Sequence, residues 1–168
     1  MRPDGYFCGR LTHSILIEVF TDGASRGNPG PGGYGVILRY GPHVKEISEG
    51  FRKTTNNRME LLAVIVALEA ITKPGMPVTI YSDSKYVVDA VEKKWVFGWE
   101  KKSFTGKANP DLWQRFLKIY RKHQVRFVWV RGHAGHAENE RCDELAVAAA
   151  LQPNLPPDKG FEANPTAG

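Results

Sequence analysis

The chain reads as an α/β domain built on one five-stranded mixed sheet, three antiparallel strands followed by two parallel ones, flanked by helices on both faces. Three observations predict this. Residues 14–51 carry β-rich runs broken by turn signals. From Asn57 onward, helical stretches alternate with short β-branched runs, the pattern of crossovers onto parallel strands. The 168 residues suit one domain, long enough to bury roughly 68–70% of the surface of the unfolded chain.

The elements follow in order. SILIEVFT (14–21) is a strand ending at Asp22-Gly23. GASRGNPGPGG (23–33) reads as a long turn, because its glycines and prolines oppose regular structure. YGVILRY (34–40) and HVKEISEGF (43–51) are strands joined at Gly41-Pro42, completing an antiparallel meander. From Asn57 to Thr72, Leu61, Ile65 and Leu68 share a helical face with Ala63, Val64 and Ala67 beside them, which predicts a largely buried helix stopped by Pro74-Gly75. PVTIYSD (77–83) is a strand running into a helix, SKYVVDAVEKK (84–94). Residues 95–108 hold a short aromatic and basic element. Asn109-Pro110 then supplies an N-cap and a proline at the first helical position, opening a helix to about Arg121. VRFVWV (125–130) is a strand, RGHAGHA (131–137) a glycine-hinged loop, and ENERCDELAVAAAL (138–151) a helix. Residues 1–13 form an extension. Four of the eleven prolines fall in 152–168, which predicts a loose tail. A helical crossover separates the meander from the fourth strand, so the strands ending at Asp22 and Asp83 are expected as parallel neighbours. Ligands gather at the carboxyl ends of such strands.

Charged residues at 24% and hydrophobic ones at 42% exclude disordered, fibrous and membrane classes. No apolar run approaches the ~18–20 residues of a membrane span, and the N-terminus lacks the apolar core of a secretory signal. Two cysteines, Cys8 and Cys142, make no disulfide framework, which favours the cytoplasm. With no apolar stripe left over, a monomer is expected. The net charge of +5 is unevenly spread. Lys93 to Arg126 holds ten cations against Glu100 and Asp111, with Trp95, Phe97, Trp99, Phe104 and Trp113 interleaved. That is a polyanion-binding pattern, or a solvated face whose aromatics turn to the core.

Four carboxylates stand out, each with a plain structural alternative. Asp22 before glycine suits a turn; Asp83 suits an N-cap. Glu60, three residues after Asn57, suits a capping box, and Asp143 a solvated helix face. Together, two strand-end aspartates, a helix-start glutamate and a late helical aspartate can converge on one sheet edge. Clustered carboxylates repel unless a cation compensates, and hard oxygen ligands suit Mg²⁺ or Mn²⁺ beside a phosphate substrate.

TDGASRGNPGPGGYG (21–35), TTNNRMEL (54–61), SDSKYV (82–87) and GHAGHAENERCDELA (132–146) occur in register and together resemble bacterial ribonuclease HI, the type 1 ribonucleases H, from about Ile15 to Leu151. The resemblance implies the ribonuclease H fold over 14–151. It implies hydrolysis of the RNA strand of RNA/DNA hybrids at one or two Mg²⁺ or Mn²⁺ ions, leaving 5′-phosphate and 3′-hydroxyl ends. It makes Asp22, Glu60, Asp83 and Asp143 the metal ligands and gives His133 a part in proton transfer or product departure; the alternative is an exposed loop histidine. Zinc at His133, His136 and Cys142 is disfavoured because paired C-x₂-C spacing is absent. Cys142 reads instead as a small helix residue.

The resemblance also places Asn28, Asn56 and Lys85 on the hybrid. Asn57 bonds a backbone or base edge, or caps its helix. Thr55 and Arg58 grip a DNA-strand phosphate, with an ordinary surface cation the alternative for Arg58. Trp95, Trp99, Lys101 and Lys102 belong to a basic protrusion over 93–108, trimmed relative to well-known members. No base-reading element is evident, so cleavage should follow backbone geometry. A non-catalytic hybrid-binding module and a DNA-cutting nuclease of the same fold are the rival readings.

Overall fold

The computed structural model describes residues 16–131 and 136–165. Strands β1 (Ile17–Ser25), β2 (Gly30–Tyr40) and β3 (His43–Thr54) form the meander, and β4 (Pro77–Ser82) and β5 (Gln124–Trp129) extend it in parallel, in the order β3-β2-β1-β4-β5. The helices are α1 (Asn56–Glu69), α2 (Lys85–Glu92), α3 (Trp95–Lys101), α4 (Pro110–Tyr120), α5 (Ala137–Ala150) and α6 (Lys159–Ala163). This is the mixed sheet expected, with parallel β1 and β4 as neighbours.

Strand alternation divides the sheet between two apolar layers. Val19, Val36, Val78 and Ile80 pack on one face with Leu61, Ile65 and Leu68 of α1, Val87 of α2 and Trp113 and Phe116 of α4. Phe20 and Ile37 turn the other way, toward Cys142 of α5, with Tyr81 stacked on Phe20 at 4.9 Å between ring centres. Burying residues such as Leu61, Ile65 and Leu68 stabilises by roughly 1.5–3 kcal/mol each.

Two expectations are corrected. Residues 23–33 are not one long turn: β1 runs on to Ser25 and β2 begins at Gly30, leaving only 26–29 between them. Gly27 does serve the turn, at φ +91°, but Gly33 and the nearby Gly35 are there for packing. A Cβ at Gly33 would come within 2.7 Å of the Ala146 carbonyl, and one at Gly35 would overlap the Cys142 carbonyl, so α5 lies directly on a bare strand.

The loose tail is also corrected over 152–165. Arg52 donates its amide to the Pro156 carbonyl at 2.8 Å and pairs through two bonds with Glu162 at 2.7 and 3.0 Å. Asp158 caps α6 by accepting from the Phe161 amide at 3.3 Å, and Phe161 is buried. The proline-containing connector is docked, because Asp158 is held inside by the buried Arg58 guanidinium at 2.8 Å. No helix among the described residues is long and apolar enough to cross a membrane.

Candidate active site

The parallel β1–β4 pairing ends at Phe20↔Tyr81, and two residues further on lie Asp22, which does not end its strand as expected but sits inside β1, and Asp83, one residue past the end of β4. Asp22 stays on the β1–β2 ladder opposite Gly35 and accepts the Gly23 amide at 2.9 Å. Gly23 itself is required: a Cβ there would overlap the main chain of Met59 and Glu60. Its absence lets β1 touch the first turns of α1, which brings Glu60 to Asp22. Carboxylate oxygens of Asp22, Glu60 and Asp83 lie within 4.8 Å of one another. Asp143, on α5, is near enough to raise the Asp22 carboxyl, but it does not join the group of three.

The capping alternatives fail on geometry. Thr55, not Asn57, is the N-cap of α1, accepting from the Arg58 amide at 3.2 Å, so Glu60 sits beyond the capping-box position. Ser84, not Asp83, caps α2, accepting from the Val87 amide at 3.3 Å.

Electrostatically the cluster is uncompensated. Burial, then the charges of Asp83 and Asp143, push Asp22 up to about 8. Burial, then Asp22 and Asp83, hold Glu60 well above the ordinary carboxylate range. Glu60 Oε1 is buried with no hydrogen-bond partner among the described residues. An all-oxygen donor set, anionic and partly orphaned, fits a hard divalent cation. Thr21, Val130, Arg131, His136, Asn139 and Glu140 wall the small pocket beside Asp22 and Asp83. Of these six the sequence reading weighed only His136, as a disfavoured zinc ligand; strand register and the one-turn spacing of Asn139 from Asp143 were the available signals for the others. His133 lies outside the described residues.

Cys142 is a buried helix residue: its Sγ–H donates to the Phe20 carbonyl at 3.2 Å, and burial followed by the Asp22 charge pushes the thiol up to about 12. A thiol so placed is a poor zinc ligand.

Arg58 needs correction as a phosphate grip. Its guanidinium is 1% exposed, and all five donors are consumed: two bonds to Asp158 (2.8 and 3.0 Å), two to Asp111 (3.0 and 2.8 Å) and one to Asn109 Oδ1 (3.2 Å). Nothing remains for a phosphate. Asn109, expected to cap α4 through its side chain, spends it on Arg58 and on the Tyr86 hydroxyl at 3.0 Å. Thr55 is buried at its cap.

Asn28, Asn56 and Asn57 are exposed together beside the α1 N-terminus, with Asn28 Oδ1 accepting the Asn56 amide at 3.1 Å. The Lys85 ammonium lies 4.8 Å over the Trp129 ring. In the protrusion, Trp95 is half exposed under Lys93 (5.2 Å), while Trp99 packs edge-on against Trp113 at 5.7 Å with Lys107 over its other side at 5.1 Å. Lys101 and Lys102 are exposed.

Comparison with known proteins is consistent with this geometry. The RNase H family model matches residues 15–151. A ribonuclease H of Desulforamulus reducens is 59% identical over 147 residues, covering 84% of this chain and 92% of its own. A ribonuclease HI of Shewanella oneidensis is 51% identical over 158 residues, covering 91% and 99%. Among solved structures, LC9-RNase H1, a type 1 RNase H, superposes with a TM-score of 0.73 at 35% identity over 82% of this chain and 72% of that one. LC11-RNase H1, solved in complex with an RNA/DNA hybrid, gives 0.62 at 29% over 80% and 96%. With carboxylates gathered just beyond the last β1–β4 pair of a β3-β2-β1-β4-β5 sheet and matches of this extent, the chain belongs to the RNase H family.

Proposed function

We propose that Asp22, Glu60, Asp83 and Asp143 hold Mg²⁺, or Mn²⁺ in its place, as one or two ions, and that hydrolysis leaves 5′-phosphate and 3′-hydroxyl ends. As a member of the RNase H family the chain is an endoribonuclease that hydrolyses the RNA strand of RNA/DNA hybrids. The carboxylate cluster carries the metal reading: buried, mutually repelling, and with Glu60 Oε1 unpartnered. When bound, the metal supplies an activated water and neutralises charge at the phosphorus. Asp22, fixed by the Gly23 amide, would be shared: Glu60 and Asp83 would hold a metal with it, and Asp143, whose charge reaches Asp22, would help to hold a second. His133 assists proton transfer or product departure; Arg131 and His136, which flank its loop, line the pocket beside Asp22 and Asp83.

Asn28, Asn56, Asn57 and Lys85 meet the hybrid near the cut, where a wide minor groove offers 2′-hydroxyls. Thr55 sets the register of that helix start. Trp95, Trp99, Lys101 and Lys102 extend the grip along the backbone. The chain works as a cytoplasmic monomer without an obligate protein partner.

The test is cleavage of an end-labelled RNA/DNA hybrid, with duplex and branched DNA beside it, with and without Mg²⁺, using Asp83→Asn as control. RNA-strand cutting that needs both Mg²⁺ and Asp83 is expected. Metal-independent cutting, or full activity in Asp83→Asn, would overturn the ligand assignment; tight binding without cutting would favour the non-catalytic module.

A further inference from the structure

Trp129 is the last residue of β5 and pairs with Ser82, the last residue of β4. It is 44% exposed, so core packing does not account for an indole at this position. Beyond Ser82 the chain leaves the sheet to enter α2, and Asp83 stands at that departure. Main-chain pairing holds one side of the junction: the Val130 amide donates to the Ser82 carbonyl at 2.9 Å. The Ser82 hydroxyl accepts the Ser84 amide at 3.1 Å, tightening the turn. The Trp129 indole N–H then donates to the Asp83 carbonyl at 3.3 Å, so a side chain carries the β4–β5 pairing one residue past the end of the strands. Above the ring lies the Lys85 ammonium, at 4.8 Å. Lys85 makes no ion pair among the described residues, so the indole is what holds its charge, by attraction to the ring face.

We propose that Trp129 is a positioning residue for the metal centre: its indole N–H fixes the main chain of Asp83, and its ring face parks Lys85 beside the carboxylates instead of among them. The proposal rests on Asp83 being a metal ligand. Groups that orient ligands without touching the metal affect its affinity strongly. A single exposed bond of 3.3 Å belongs at the weak end of that range.

The test uses the full chain and Mn²⁺ or Mg²⁺ alone as probe. Trp129→Phe keeps a ring for Lys85 and removes the N–H; Trp129→Leu removes both. Titration calorimetry with Mn²⁺ on hybrid-free protein should show roughly tenfold weaker binding in Trp129→Phe and a further loss in Trp129→Leu. At subsaturating Mg²⁺, kcat should fall by a similar factor, with KM for the hybrid within about twofold in Trp129→Phe. In the wild type, the indole N–H resonance of Trp129 should move on Mg²⁺ addition while that of Trp95 stays. Unchanged Mn²⁺ affinity in both variants would overturn the proposal, as would a raised KM with kcat and metal affinity intact, which would make the indole a hybrid contact. Asp83→Asn separates the two levels: if it binds Mn²⁺ normally, the ligand assignment fails; if it loses Mn²⁺ while Trp129→Phe keeps it, only the role of Trp129 fails.

Discussion

Arg58 and Glu60 stand two residues apart at the start of one helix, both buried, in opposite electrostatic circumstances. Arg58 meets five acceptors, two bonds to each of two carboxylates and one to Asn109, and its charge is held firmly in place. Glu60 meets other carboxylates, and one of its oxygens has no partner among the described residues. A buried charge costs several kcal/mol unless it is paired. The first residue meets that condition within the chain. The second leaves it open, and an unmet condition of this kind marks where a ligand belongs. One end of α1 therefore carries a locking network on one side and a receptive site on the other.

The lock should break with the larger effect. Arg58→Ala strands Asp158 in the interior, while Asp111, about 43% exposed, keeps its water. The expected loss is about 3–5 kcal/mol in urea unfolding. Removing Asp158 as well should recover part of it, since the two changes share one network; simple additivity would show that the network is not a unit.

Glu60→Gln should act in the reverse sense. RNA-strand cleavage in Mg²⁺ falls by at least about a hundredfold, beyond the effect of losing a group that merely supports a ligand. Stability without metal rises, because one of the repelling charges is gone. Steady-state rates and thermal melting read the two effects separately.

The open site also imposes a pH dependence. The folded-state value for Asp22, about 8, lies above its unfolded value, so the native state binds the extra proton between them. Stability from this group is complete below about pH 4 and is lost as pH rises toward 8. Metal-free protein should lose stability over that window, and Mg²⁺ should restore it. A flat metal-free profile between pH 5 and 8 would mean the cluster is already ionised.

The smallest effect belongs to the exposed cations. Lys101→Ala with Lys102→Ala should leave saturated turnover intact and weaken hybrid binding, flattening its salt dependence by up to about two units of slope. An unchanged slope would remove both lysines from the interface.

How much of this was legible in the sequence follows the range of the interactions. Asp22 and Asp83 were readable because each sits where a β-rich sequence run breaks and parallel neighbours bring such positions together, although β1 itself continues past Asp22 to Ser25. The start of β2 was not, because its glycines look like turn residues locally, while Gly32 is crowded by Thr54 of β3 and Gly33 by Ala146 of α5, the latter more than a hundred residues away. Arg58 read as a phosphate grip, with a surface cation the alternative, because its partners Asp111 and Asp158 lie 53 and 100 residues along the chain. The proline-rich segment before Asp158 gave no local sign that it would be docked. Trp129 was passed over because an aromatic closing a strand reads as packing until its exposure is known.

The central claim, that the carboxylate cluster waits for a cation while the Arg58 network does not, is tested most directly by thermal melting at pH 8 with and without Mg²⁺, in the wild type and in Glu60→Gln. The account predicts that Mg²⁺ raises the wild-type midpoint, that Glu60→Gln melts higher than wild type in the absence of metal, and that its response to Mg²⁺ is largely lost. A wild-type midpoint indifferent to Mg²⁺, or an equal response in both proteins, would contradict it.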